Sequence, residues 1–276
     1  NLRQPKRCRR YRSATAVHIA PFLCVYSIES TRPPAWERAP SSGLVDSNRF
    51  FLIPGAVYSC QEVFRRMPTL SVIMIVKNEE HCLGRCLESV RAIADEIVVA
   101  DTGSTDATVD VARWFGAVVV SVPWEDDFAA ARNLGMAAAS GDWLLHLDAD
   151  EVVDPEGARR IRALVDADGA GADAVEVTLA NYCNEPRAWR WVRCAPDDSY
   201  AAGFAGYIAA GLLRLFRNGR GFAYREPIHE NITESVRERG GVVRVEPILI
   251  HHYGYSPEES RRGEKARRYL AIARRK

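Results

Sequence analysis

The chain has 276 residues, 47% of them hydrophobic, enough to bury a full core in one large domain with appendages. Its formal net charge of +1 combines an Arg-rich stretch before Met67 with carboxylates concentrated after it, a balance that implies no nucleic-acid partner. The seven cysteines form no CxxC pair, and no run reaches the roughly 20 apolar residues of a spanning helix, so the expectation is a cytoplasmic protein with reduced thiols.

Residues 1–66 read as a mostly irregular N-terminal extension. Pro33-Pro34 and Pro40-Ser41-Ser42-Gly43 interrupt them, and no helical or strand period is sustained. Residues 3–28 imitate a signal peptide, but His18 and Pro21 break the apolar run. Met67 is read as the natural start, with the earlier residues as upstream or divergent sequence.

From residue 70 strands and helices alternate. Residues 70–76 are a nearly continuous apolar run, which predicts a buried strand. A helix follows with Leu83, Cys86, Leu87 and Val90 on one face. Residues 96–100 predict a second strand ending at Asp101, and Thr102-Gly103-Ser104-Thr105-Asp106 supplies a turn and the start of a helix that closes at Gly116. A third strand is expected over 117–122. Next come a helix over 126–139 with Phe128, Ala131, Gly135 and Ala138 close-packed, and a fourth strand over 142–147. This rhythm predicts a parallel sheet with ligands outside the carboxyl ends of its strands, where Asn78, Asp101 and Asp148 to Asp150 all fall.

Beyond Asp154 the rhythm loosens. A helix is expected over 155–168, strands near 174–180, 212–216 and 242–250, and an irregular stretch holding Trp189, Trp191 and Tyr200. Residues 256–276 predict a basic helix that stops without a cap, which reads as truncation or continuation. Its arginines suit either a solvated face or peripheral contact with an anionic membrane.

Asp148-Ala149-Asp150 leaves a strand at a spacing that lets both carboxylates approach one cation. Hard oxygen ligands of this kind suit Mg²⁺ or Mn²⁺ carrying a diphosphate. The same residues could also form a solvated acidic turn. Asp101 could accept a hydrogen bond from a nucleobase imide, with Asp106 bracing its loop. Arg214 and Arg217 lie three apart on an expected strand and so face opposite sides, which argues against a shared phosphate clamp.

Taken together, residues 70–80 (LSVIMIVKNEE), 97–106 (IVVADTGSTD), Ala131-Arg132-Asn133 and 141–151 (GDWLLHLDADE) resemble family 2 glycosyltransferases of the GT-A fold. The resemblance runs from about Leu70 to Tyr255. It implies an α/β class, a mostly parallel Rossmann-like sheet flanked by helices with a smaller mixed acceptor-side region, in a domain spanning 67–255. By that resemblance Val76, Asn78, Glu79 and Asp101 would contact the nucleoside. Asp148 would face the ribose or the metal, and Asp150 would ligate the metal. Arg132 resembles a position near the diphosphate, while an ion pair with Asp126 or Asp127 is the equal alternative. Residues 224–231 (YREPIHEN) resemble the His-Glu element of lipopolysaccharide-core-type members. Glu230 is the candidate base, its alternative being a simple pair with a nearby Arg, and Asp197 and Asp198 are weaker rivals. Strand alternation puts His251 and His252 on opposite faces, and the resemblance favours His251 as the histidine of the metal site.

The reading is a metal-dependent inverting transferase using Mg²⁺ or Mn²⁺. It would move a hexose from a nucleotide-sugar, taken as a UDP-sugar, to a glycan, lipid-linked or protein acceptor, in a role such as cell-envelope glycan assembly. The alternatives are a nucleotidyltransferase and a catalytically silent nucleotide-sugar-binding module of the same fold. A dehydrogenase is disfavoured, because no GxGxxG follows any strand.

Overall fold

The computed structural model describes residues 67–254 in full, residue 272, and the backbone of residues 50–53 and 56–59. The expected basic helix over 256–276 otherwise lies outside the described residues. The chain divides into two compact units, Asn1–Phe64 and Arg65–Lys276. In the first, where mostly irregular backbone is expected, strands β1 (Phe50–Ile53) and β2 (Ala56–Ser59) pair as an antiparallel hairpin.

The second unit opens with β3 (Leu70–Val76), whose run of β-branched and aliphatic residues suits a strand covered on both faces. Helix α1 (Leu83–Val90) buries Leu83, Cys86, Leu87 and Val90, as its spacing predicts. Strand β4 (Glu96–Asp101), helix α2 (Thr108–Trp114) and strand β5 (Val118–Ser121) follow. Helix α3 (Phe128–Ala137) starts at Asp127, whose carboxylate accepts from Ala130 N at 2.8 Å. Gly135 lets α3 lie close on β4, since a Cβ there would stand 3.0 Å from that of Ala100. Ala131 is buried with it, but Ala138, expected in the same packed stripe, is exposed because the helix stops one residue earlier.

Strand β6 (Trp143–His146) delivers the acidic motif, and β7 (Glu151–Val153) follows at once. Asp154 then caps α4 (Pro155–Asp166), accepting from Gly157 N at 2.6 Å. The remaining elements are β8 (Ala174–Cys183), β9 (Trp191–Arg193), β10 (Gly206–Arg217), α5 (Thr233–Glu238) and β11 (Val243–His252). The stretch around Trp191, expected to be irregular, thus contains a short strand.

One sheet of nine strands runs β5-β4-β3-β6-β10-β8-β11-β7, with β9 paired to β10. Its first four strands are parallel, as expected. Strand β10 then runs antiparallel to both β6 and β8, β11 is parallel to β8, and β7 is antiparallel to β11. The α/β class with helices flanking a mixed sheet therefore holds. The mixed region continues the same sheet, because β10 pairs directly with β6. The main core lies under α1 and α4, where Leu70, Leu87, Trp143, Leu145, Ile161 and Leu215 are fully buried.

Candidate active site

The carboxyl ends of β3, β4 and β6 lie side by side, since Val76 pairs with Asp101 and Ile73 with His146. Two loops meet above β3 and β4. Val76 is buried, and its carbonyl accepts from Thr102 N and Oγ1, both at 3.0 Å. Asn78, with φ 57, donates from its backbone N to Ser104 Oγ at 3.0 Å and accepts from Thr105 N at 2.8 Å. Glu79 N donates to Thr108 Oγ1 at 2.7 Å. Asp101 accepts from Gly103 N at 3.2 Å and Ser104 N at 3.1 Å, which fixes the turn and leaves further lone pairs on its carboxylate. Asp106 braces the loop, accepting from Glu80 N at 3.3 Å and Thr108 N at 3.0 Å.

Asp148 sits among cations. Its Oδ1 is 2.9 Å from Arg132 Nη2 and its Oδ2 is 3.3 Å from Arg214 Nη2. Burial would raise this carboxyl, but the two guanidinium groups overcome that and hold it well below the usual range. Arg132, on the buried face of α3, also pairs with Glu230 Oε1 at 2.8 Å. The expected alternatives are otherwise engaged: Asp127 caps α3, and Asp126 accepts from Trp124 Nε1 at 2.8 Å. Glu230 reaches Arg132 because its loop is fastened to α3. Phe128 N donates to Pro227 O at 2.9 Å, and Asn133 and Tyr224 exchange two hydrogen bonds.

Between the two arginines lies His146. Burial, and then the charges of Arg132 and Arg214, push its pKa well down, so the ring is neutral. Its Nε2 faces Arg132 Nη1 and Arg214 Nη1, and its Nδ1 is 2.8 Å from the Tyr224 hydroxyl. Arg214 also contacts Glu151, which is 0% exposed and accepts from Asp148 N at 2.9 Å. Arg217 pairs instead with Asp168 at 2.6 Å, so the two arginines of β10 do separate as expected.

Asp150 has a different partner. His252 Nε2 stands 3.2 Å from its Oδ2, while His251 turns away to Tyr182, at 2.8 Å, and Asp154, at 3.4 Å. Of the two histidines it is His252, and not the expected His251, that stands beside Asp150: β11 pairs His252 with Glu151 of β7, and that register turns His252 toward Asp150. Burial would lower the His252 pKa, but its contact with Asp150 raises it. Burial lowers that of His251. His252 Nδ1 is 2.7 Å from Asn181 Oδ1, whose own Nδ2 donates to Ile208 O at 3.1 Å. The amide is thereby oriented so that Nδ1–H donates to Asn181 and a lone pair can sit on Nε2, as metal-bound histidines require.

Two donors on one first-row ion at about 2.1 Å and near-octahedral angles stand about 3.0–3.2 Å apart, so Asp150 Oδ2 and His252 Nε2 fit as a ligand pair. Among the described residues no group of three or more His, Cys, Asp or Glu could hold an ion. A site of this kind would be completed by substrate oxygens, which is how Mg²⁺-type ions commonly sit on diphosphates. Sequence reasoning missed Arg214, Glu151, His146 and Asn181. The one signal for Arg214 was a lone charge in the run Gly211-Leu-Leu-Arg-Leu-Phe216, since a buried Arg demands carboxylates.

Among the described residues no helix is long and apolar enough to cross a membrane. A TPR repeat-containing protein of Synechococcus elongatus is 35% identical over 195 residues, covering 68% of this chain and 43% of that protein. The glycosyltransferase SunS of the SPbeta prophage in Bacillus subtilis is 27% identical over 212 residues, covering 74% of this chain and 44% of that protein. The chain thus spans less than half the length of these curated relatives. Glucosyl-3-phosphoglycerate synthase of Mycobacterium tuberculosis, crystallised with Mn²⁺, UDP and phosphoglyceric acid, is 29% identical with a TM-score of 0.36, over 41% of this chain and 43% of that one. The family model for glycosyl transferase family 2 matches residues 71–233, more than half of the chain, and the protein belongs to that family of glycosyltransferases.

Proposed function

We propose that the chain is a metal-dependent inverting glycosyltransferase that moves a hexose from a UDP-sugar to an acceptor hydroxyl. The observation that carries this reading is the Asp150–His252 pair at 3.2 Å, with Asn181 holding the ring so that Nε2 can bind a cation. Asp150 and His252 would hold Mg²⁺ or Mn²⁺. Bound there, the ion would offset charge developing on the leaving diphosphate. Asp101 would accept from the uracil imide, with Val76, Asn78 and Glu79 shaping the nucleoside pocket. Asp148 would face the ribose, kept ionised by Arg132 and Arg214.

Glu230 would accept the acceptor proton as the acceptor oxygen bonds to the anomeric carbon. The bond from that carbon to the phosphate oxygen breaks, and UDP leaves. A second reading rests on the 2.8 Å contact between Glu230 and Arg132: Glu230 would position Arg132 beside the diphosphate without moving a proton itself. The acceptor would be a glycan, lipid-linked or protein hydroxyl, in a chain working on the cytoplasmic side.

The reading is tested by incubating the chain with UDP-sugars and measuring UDP release with Mn²⁺, with Mg²⁺ and with EDTA. Release is expected only with metal, and Asp150→Ala is expected to abolish it while the circular-dichroism spectrum stays unchanged. Turnover that survives both EDTA and Asp150→Ala would refute the assignment. The anomeric configuration of the product, read by NMR, checks inversion.

A further inference from the structure

Gly254 has no backbone reason to be glycine. It is exposed, and its φ lies outside the left-handed region that disfavours side chains. A Cβ built on it would nevertheless stand 2.5 Å from Asp150 Oδ2, 2.5 Å from His252 Nε2 and 2.9 Å from His252 Cε1. Both 2.5 Å distances are below carbon–heteroatom contact, and they fall in the range, roughly 2.0–2.6 Å, over which divalent ions are held by oxygen and nitrogen ligands. The absent methyl group therefore leaves open the space between the two candidate ligands.

The backbone leading into Gly254 is tied down. His252 is in register with Glu151, and Tyr253 N donates to Asp150 O at 3.1 Å. The Tyr253 hydroxyl donates to Tyr200 O at 2.8 Å and accepts from Arg85 Nη2 at 2.7 Å, with the Arg85 guanidinium 4.2 Å from the ring centroid. A side chain at residue 254 would thus be carried on an anchored backbone.

We infer that Gly254 is a positioning residue of the cation site, whose missing side chain keeps the ion's place between Asp150 and His252 open. The inference rests on the metal-dependent reading above. Calorimetric titration of UDP, with Mn²⁺ and with EDTA, into the wild-type chain, Gly254→Ala and Asp150→Ala tests both separately. The wild type is expected to bind UDP more tightly with Mn²⁺. Gly254→Ala should keep the metal-free UDP affinity and a cooperative melting transition, and lose the Mn²⁺ enhancement by about tenfold or more, on the scale seen when a metal site's surroundings are disturbed. If Gly254→Ala keeps the enhancement while Asp150→Ala loses it, the role of Gly254 is overturned and the metal reading stands. If the wild type shows no enhancement, or Asp150→Ala keeps it, the metal reading falls and this inference with it.

Discussion

Replacing Arg214 by Met removes the charge that faces two carboxylates. Arg214 is 4% exposed and Glu151 is 0% exposed. Asp148 keeps Arg132 at 2.9 Å, so the carboxylate left without a counter-charge is Glu151. Breaking a buried pair from one side costs about 3–5 kcal/mol where both partners are charged, because the survivor must either stay ionised out of water or take up a proton. Burial already pushes Glu151 up to about 7 against the attraction of Arg214, and without Arg214 it rises further. A carboxyl whose folded pKa lies above its unfolded one contributes stability at low pH that is lost as pH rises through the folded value. At pH 6 Glu151 is protonated in both proteins. Between pH 7 and pH 8 the wild type ionises while the variant is held neutral against its unfolded state, which adds about 1.4 kcal/mol to the loss. The expected destabilisation is therefore about 3–5 kcal/mol at pH 8 and about 2–4 kcal/mol at pH 6. Urea unfolding at both pH values measures it. With a slope of about 2 kcal/mol per M, the midpoint at pH 8 should fall by about 2 M. Adding Glu151→Gln removes the titrating group, and the pH dependence of the loss should disappear. A pH 8 midpoint within about 0.5 M of wild type, or a larger loss at pH 6, would refute this account of the cluster.

Two further outcomes test the roles of single side chains. His252→Ala should weaken Mn²⁺-dependent UDP binding by about 10–100-fold while His251→Ala leaves it within about threefold, measured by the same calorimetric titration; the reverse order would restore His251 to the site. Glu230→Gln should lower kcat by about 10²–10⁴-fold with little change in the donor KM if the carboxylate is the base. A donor KM that rises while kcat holds would favour its action through Arg132.

The parallel half of the sheet is legible because it is local. Leu70–Val76 and Glu96–Asp101 are runs of apolar residues, and α1 carries its buried face at ordinary helical spacing. What was not legible depends on pairing between distant segments. Strand β7 has three residues and begins with a wholly buried Glu, so neither length nor alternation marks it; it exists because β11 lies beside it. The same holds for the site. Asp101 ends, and Asp150 follows, a strand that its own composition announces. Alternation separates His251 from His252, but which of them meets Asp150 is set by the register of β11 against β7, about a hundred residues away in sequence.

The two aspartates of the acidic motif end in opposite electrostatic situations, although one residue separates them. Asp148 faces Arg132 and Arg214 and lies beside the neutral His146, so its charge is already matched by the protein. Asp150 meets a single imidazole, and that ring's other nitrogen is committed to Asn181. A cation approaching the pair would displace two arginines at Asp148 and no positive guanidinium at Asp150. That contrast supports the proposal that Asp150 is the carboxylate that would hold an exchangeable ion. The carboxylate fixed by Arg132 and Arg214 is better suited to a neutral hydroxyl such as that of a ribose, which accepts and donates without disturbing the charges around it.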